Sequence, residues 1–291
     1  MTRISRTENT LQLLSDVRRG QWFVHDHEAL LPTALAFLQG EKIVGTIHRD
    51  DFEFSTVTAQ FSAEATGKTA KGSEVAVIPI TGAISKYDSC YSHGAVTYAS
   101  AILMAAKHPD IDAVVLDIDS GGGSANAISI IKEAIARTKA SGKPIIAHVD
   151  FCASLAYWIA SQCDAIFCDN PLSEVGSIGG FCQIIDDTRK LKKEGYQVIT
   201  VYADESGDKN LAYRQALDGD TTLLKKDLSY LVGQFHQDVK AGRPDIKADA
   251  PGVFTGAMFH PDEAHELGLI NGVLTLSECI ENAAIRANIN H

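Results

Sequence analysis

The spacing of apolar positions changes character near residue 74. Before it, Leu11, Leu13, Leu14 and Val17 make a short helical stripe, and Leu30, Leu31, Leu35 and Leu38 make a second one that starts near Pro32. Residues 52–73 are rich in Thr, Ala, Ser and Gly and read as a linker or irregular arm. From Glu74 the texture is α/β. Residues 75–84 read as a β-branched strand broken by Gly82, residues 98–108 as a helix packed through small side chains, and 111–119 as a near-continuous apolar strand. Such a run is expected of a sheet covered on both faces. A turn with three glycines, Gly121–Gly123, leads past Ser124, a candidate cap, into a helix carrying Ile128, Ile131 and Ile135. Gly142 and Pro144 end that helix.

The next strand begins at Ile145 and turns sharply at Phe151–Ser154 into a small-residue helix. Strand, glycine turn, helix and strand predict a right-handed βαβ unit. Its glycine loop and the Ser154 turn then share the C-terminal edge of the sheet. Further along, 164–168 reads as a short strand and Gly176–Gly180 as a second glycine-bounded loop. A helix with the basic run Arg189, Lys190, Lys192 and Lys193 has the pattern of a solvated face. Residues 196–203 read as a strand leading to Lys209, and 219–241 as a long amphipathic helix. A short strand, a helix and a strand close the pattern near Val273.

Composition narrows the function. The 291 residues are 45% hydrophobic, enough for a sizeable core, and suggest one large domain at 74–291 with an N-terminal arm or pro-segment at 1–73. A net charge of −11 argues against nucleic acid as a partner. No apolar run reaches the length that spans a bilayer, and the first residues lack the pattern of a signal peptide, so a cytoplasmic location is expected. Cys90, Cys152, Cys163, Cys168, Cys182 and Cys279 show no CxxC spacing and read as reduced core thiols. His25 and His27 lack a third ligand, and Gly121–Gly123 lack the lysine or the spacing of a phosphate loop. No cofactor or metal is therefore expected.

Ser154 has two readings from its position alone. It can cap the helix it precedes, or it can be a nucleophile whose developing oxyanion is held by the backbone N–H groups gathered there.

Four motifs decide which reading to follow. The stretches 116–124 (LDIDSGGGS), 152–170 (CASLAYWIASQCDAIFCDN), 174–180 (EVGSIGG) and 254–273 (FTGAMFHPDEAHELGLINGV) occur in this order. From about Val75 to Val273 the chain resembles the SppA/protease IV family of serine–lysine peptidases. That family includes signal-peptide peptidases and phage prohead maturation proteases. The Ala-Ser-x-Ala-Tyr-Trp form of the second motif is nearer the phage type. The resemblance implies a ClpP/crotonase-like superhelix of repeated ββα units, here with a separate, mainly helical N-terminal segment. It implies Ser154 as nucleophile, Lys209 as general base, Ser177 as the serine that orients the lysine, and the N–H groups of Gly123 and Leu155 as the oxyanion hole. It also implies homo-oligomers in which neighbouring subunits complete each site, a polypeptide substrate, and capsid or scaffold proteins as partners inside an assembling prohead.

No histidine lies between Ser154 and Lys209, which agrees with a lysine base. Bringing a lysine amine from about 10.4 to about 7 takes roughly 4 to 5 kcal/mol of differential stabilisation, supplied by burial. Two departures from the family stand out: Gly121 replaces a proline, and Leu155–Ala156 replace Gly-Gly. The alternatives are a cytosolic signal-peptide-peptidase-like enzyme, an acyl-CoA hydratase or isomerase using Asp119 and Glu174, and an inactive scaffold-binding homologue.

Overall fold

The structure is a computed structural model that describes residues 21–24, 52, 54–59, 72–88, 92–184, 186 and 188–289. The strands are β1 (Gln21–Val24), β2 (Ser55–Ala59), β3 (Ser73–Thr81), β4 (Ile111–Ser120), β5 (Gly122–Ser124), β6 (Ile145–Ala153), β7 (Ala165–Cys168), β8 (Glu174–Gly176), β9 (Phe181–Cys182), β10 (Met258–Phe259) and β11 (Gly272–Val273). The helices are α1 (Ala95–Lys107), α2 (Ile128–Ala140), α3 (Leu155–Ala160), α4 (Thr188–Lys193), α5 (Leu211–Leu217), α6 (Thr222–Gly242), α7 (Pro261–Glu266) and α8 (Leu276–Ile289).

The main sheet runs β10-β8-β6-β4-β3-β2, and β3, β4, β6 and β8 are parallel. Strand β6 is shared along its length. Its first half, Ile146–Val149, pairs with β7, and its last three residues, Phe151–Ala153, pair with β8. This split delivers the residue after β6 directly beside β8.

Period-two alternation builds both faces of the sheet. Ala76, Ile78 and Ile80 join Val114, Leu116 and Ile118 in the larger core beneath α1, α2 and α3. Val75 and Val77 join Ala113, Val115 and Ile146 on the other face, against Cys279, Ile280, Ala283, Ala284 and Ala287 of α8. Double-sided burial accounts for the continuous apolar runs in the sequence. Helix α8 lies past the last element that the pattern predicts, and it covers that whole second face.

Helix α6 is pinned to α3. The Trp158 and Phe235 rings stack at 4.4 Å, the Trp158 indole N–H donates to Asp238 at 2.9 Å, and the buried Tyr157 hydroxyl donates to the Leu269 carbonyl at 2.9 Å. The Tyr-Trp pair after Ser154 thus ties α3 to the long helix and to the C-terminal segment.

Three expectations change. The stretch 196–203 forms no strand; Tyr196, Val198, Ile199 and Val201 are exposed, the last by 85%. A β-branched pattern takes strand geometry only with a neighbour to pair with, and within one chain this stretch has none. Secondly, Ser124 does not cap a helix: it belongs to β5, and its N–H donates to the Ile84 carbonyl. Thirdly, the stretch read as linker and arm contributes to the sheets. Strand β2 extends the main sheet antiparallel to β3, and Phe52 packs edge-on against His93 and Tyr98. The helical stripes at Leu11–Val17 and Leu30–Leu38 lie outside the described residues, as do His25, His27 and Cys90.

Among the described residues, no helix is long and apolar enough to cross a membrane. The five described cysteines are free, and burial pushes the thiols of Cys168 and Cys279 up to about 12.

Candidate active site

Ser154 occupies the single residue between β6 and α3, with φ 55° and ψ −116°. A non-glycine residue there is strained by roughly 1–3 kcal/mol, and the surrounding pairing has to enforce it. The pairing is dense. Ala153 lies opposite Gly176 of β8, and the Ser154 N–H donates to the Gly176 carbonyl at 2.8 Å. The Ser154 hydroxyl forms no cap on α3, so the capping reading fails for this serine. The hydroxyl is buried and makes a single long bond, 3.3 Å, to the Gly179 carbonyl. It is held in place without being consumed.

Backbone strain marks the same neighbourhood. Among the described residues only three other than glycine have positive φ: Ser154, Ser177 (φ 52°) and Asn210 (φ 56°). The first two are predicted site residues and the third follows Lys209. Ser177 is placed beside Ser154 because it follows Gly176, and its N–H donates to the Ala257 carbonyl at 2.7 Å.

The glycine loop forms the opposite wall. Ile84 donates to Gly122 and accepts from Ser124, so β5 lies against the Ile84 backbone. Backbone groups alternate along a strand, so the N–H and C=O of Gly123 face away from Ile84, towards Phe23 of β1, with which Gly123 pairs. A Cβ on Gly123 would lie 1.9 Å from the Ile84 carbonyl oxygen, which no side chain survives. Gly123→Ala is therefore expected to displace the loop, lowering the melting temperature and cutting peptide hydrolysis by at least about 10²-fold, the scale of a lost oxyanion donor. Gly142→Ala is the control. It has positive φ but open space around its Cβ position, so it should lose about 1 kcal/mol and no activity. Leu155 is fully buried at the start of α3, where the first N–H groups have no acceptor within the helix.

The structure thus brings together Ser154, Ser177, Gly123 and Leu155. It does not bring Lys209 to them. Lys209 is exposed on a turn, and its side chain makes no hydrogen bond or ion pair with another described residue. The turn itself is well built. The Lys209 N–H donates to Ser206, Leu211 N–H to Asp208, and the Arg214 guanidinium to the Gly207 carbonyl at 2.5 Å while lying over the Tyr202 ring. Asp204, Glu205 and Asp208 form no ion pair with Lys209. Asp119 and Glu174, the pair an acyl-CoA enzyme would need, stand on β4 and β8 with β6 between them.

A buried histidine between two carboxylates, with no signal in the sequence pattern, stands on β6. The His148 ring on β6 bonds Asp117 through Nδ1 at 2.7 Å and Asp169 through Nε2 at 3.2 Å. Burial pushes the imidazole down, but the hydrogen bond and charge of Asp117, then those of Asp169, outweigh it and hold the net pKa above the ordinary value. A pKa raised in the folded state stabilises the fold fully below about 6.5 and loses that contribution as pH rises through the folded value. Urea midpoints of the wild type should therefore fall from pH 6 towards pH 8, and His148→Gln should flatten that slope.

A scan against family models matches residues 137–290 to Peptidase family S49. The chain belongs to Peptidase family S49. The matched stretch contains Ser154, Ser177 and Lys209, while the glycine loop precedes it. Relatives include Protease 4 of Haemophilus influenzae (26% identical over 212 residues, 72% of this chain and 34% of that protein) and the chloroplastic serine protease SPPA of Arabidopsis thaliana (27% over 233 residues, 77% and 34%). The chain spans about a third of the length of these curated relatives. Among solved structures, the 1510-N membrane-bound stomatin-specific protease is similar over 70% of this chain and 81% of that one, at 18% identity and a TM-score of 0.42.

Proposed function

We propose that this S49 chain is a serine endopeptidase working through an acyl-enzyme, with Ser154 as nucleophile and Lys209 as base. The observation that carries the reading is the strained, buried and uncapped Ser154 at the β6–α3 junction. Ser154 Oγ attacks the peptide carbonyl carbon and passes its proton to the Lys209 amine. The oxyanion is held by the N–H groups of Gly123 and Leu155. The C–N bond then breaks as Lys209 returns the proton to the leaving amine, and water, activated by the same lysine, releases the acyl group. Ser177 orients the lysine.

A lysine works as a base once it is desolvated, and Lys209 is exposed in a single chain. The exposed Tyr196, Val198, Ile199 and Val201 lead directly to its turn. We read this apolar run as the surface on which a second copy docks, covering the lysine and completing a site across the interface. The Ala-Ser-x-Ala-Tyr-Trp form of residues 153–158 favours the prohead-maturation type, with capsid or scaffold proteins as partners, over signal-peptide turnover.

The test is incubation with a fluorophosphonate and with unfolded casein. A phosphonate adduct mapped to Ser154 by peptide mass, accompanied by loss of casein cleavage, supports the reading. Casein cleavage that persists in the fully labelled protein overturns it.

A further inference from the structure

Strand β1 lies in a place that a passive arm would not need to occupy. It forms the centre of a three-stranded sheet of order β5-β1-β9 and is antiparallel to both neighbours. Val24, Phe23 and Trp22 pair with Gly122, Gly123 and Ser124, while Trp22 and Gln21 pair with Phe181 and Cys182. Both walls belong to the site. Gly123 is the proposed oxyanion donor, and Phe181 follows by two residues Gly179, whose carbonyl accepts from the Ser154 hydroxyl.

The pairing competes for the same backbone groups. Ile84 takes the outward groups of Gly122 and Ser124, so the inward N–H and C=O of Gly123 are directed at Phe23. Without β1, the inward edge of β5 and the β1-facing edge of β9 would lack this partner, the arrangement that captures an extended peptide by strand addition.

We propose that Gln21–Val24 is a built-in occupant of the peptide groove, an inhibitory strand that must leave before a substrate strand can enter. This rests on the peptidase reading for its consequence, but the occupancy can be tested without catalysis. Where only a fraction of molecules has an open groove, apparent affinity for peptide falls by that fraction.

Two substitutions in the full chain act in opposite directions. Phe23→Pro removes the N–H that faces the Gly123 carbonyl and should loosen the strand. Gln21→Cys places a thiol directly across from the native, half-buried Cys182. Opposed Cα atoms lie about 4.5–5.5 Å apart, within disulfide range. Each is made in the active protein and in Ser154→Ala. Casein hydrolysis is followed in the first set, and polarisation of a fluorescent extended peptide in the second.

The expected result for Gln21→Cys is a disulfide from the introduced thiol to Cys182, seen by mass, that blocks peptide binding and is reversed by reductant. Phe23→Pro should bind peptide, and hydrolyse casein, about tenfold better than the wild type. Peptide binding that responds to both changes in proteins showing no hydrolysis would support the occupant while sinking the peptidase reading. Absence of the cross-link, or a cross-linked protein that binds peptide as well as the reduced one, overturns the proposal. So does spontaneous loss of residues up to the 21–24 strand in the wild type but not in Ser154→Ala, because the strand would then be a substrate.

Discussion

Ser154→Ala is expected to eliminate peptide hydrolysis, a loss of about 10⁴-fold or more, while the protein stays folded. The two halves of this outcome have separate causes. Removing Oγ removes the atom that forms the acyl bond, and no neighbouring hydroxyl shares its place at the β6–α3 junction. Stability barely changes, because the hydroxyl's hydrogen bond is 3.3 Å long and does not cap α3. Ser154→Gly sharpens the measurement. Alanine inherits the positive φ that serine already bears, but glycine relieves it, so Ser154→Gly should be inactive and more stable by about 1 kcal/mol. Thermal unfolding of the three proteins, beside casein hydrolysis, checks both halves. An active Ser154→Ala, or a glycine variant less stable than the wild type, would contradict the assignment of a strained nucleophile.

Much of this site was legible because each of its parts has a local cause. The apolar runs at 75–80 and 111–118 are strands buried on both faces, and the turn after Phe151 follows from a strand meeting a small-residue helix. Gly123 stands out in sequence only as one of three glycines. Its need becomes visible when the Ile84 carbonyl is found where a Cβ would go. The expectations that changed depended on partners distant in sequence. Strand β2 exists because β3 offers it an edge, whereas the better-patterned stretch 196–203 has no edge, forms no strand and is largely exposed. Helix α8 carries a readable stripe at Cys279, Ile280, Ala283, Ala284 and Ala287, but it lies beyond the last motif, and the sheet face it covers is distant in sequence. The pairing of β1 with β5 and β9 left no local signal, since it joins residues far apart along the chain.

Lys209→Ala should reduce hydrolysis by about 10³-fold or more without altering the fold, and its rescue pattern reveals where the lysine acts. The side chain is exposed and makes no hydrogen bond or ion pair with another described residue, so truncating it costs the single chain little. On the proposed reading another copy carries the lysine to Ser154, and the exposed apolar stretch ahead of it offers the surface for that contact. Such a site contains Ser154 from one protomer and Lys209 from its neighbour. Mixing inactive Ser154→Ala with inactive Lys209→Ala, then dissociating and reassembling them, should restore about a quarter of wild-type activity, the fraction of interfaces that pair an intact serine with an intact lysine. Mixing that restores nothing, although mass measurements show mixed oligomers, would place serine and lysine in one chain. The turn at Lys209 would then have to move to Ser154 within that chain. Val198→Asp supplies the independent reading, because a carboxylate in the exposed apolar stretch should dissociate the proposed oligomer and remove activity together while leaving the Ser154 turn untouched.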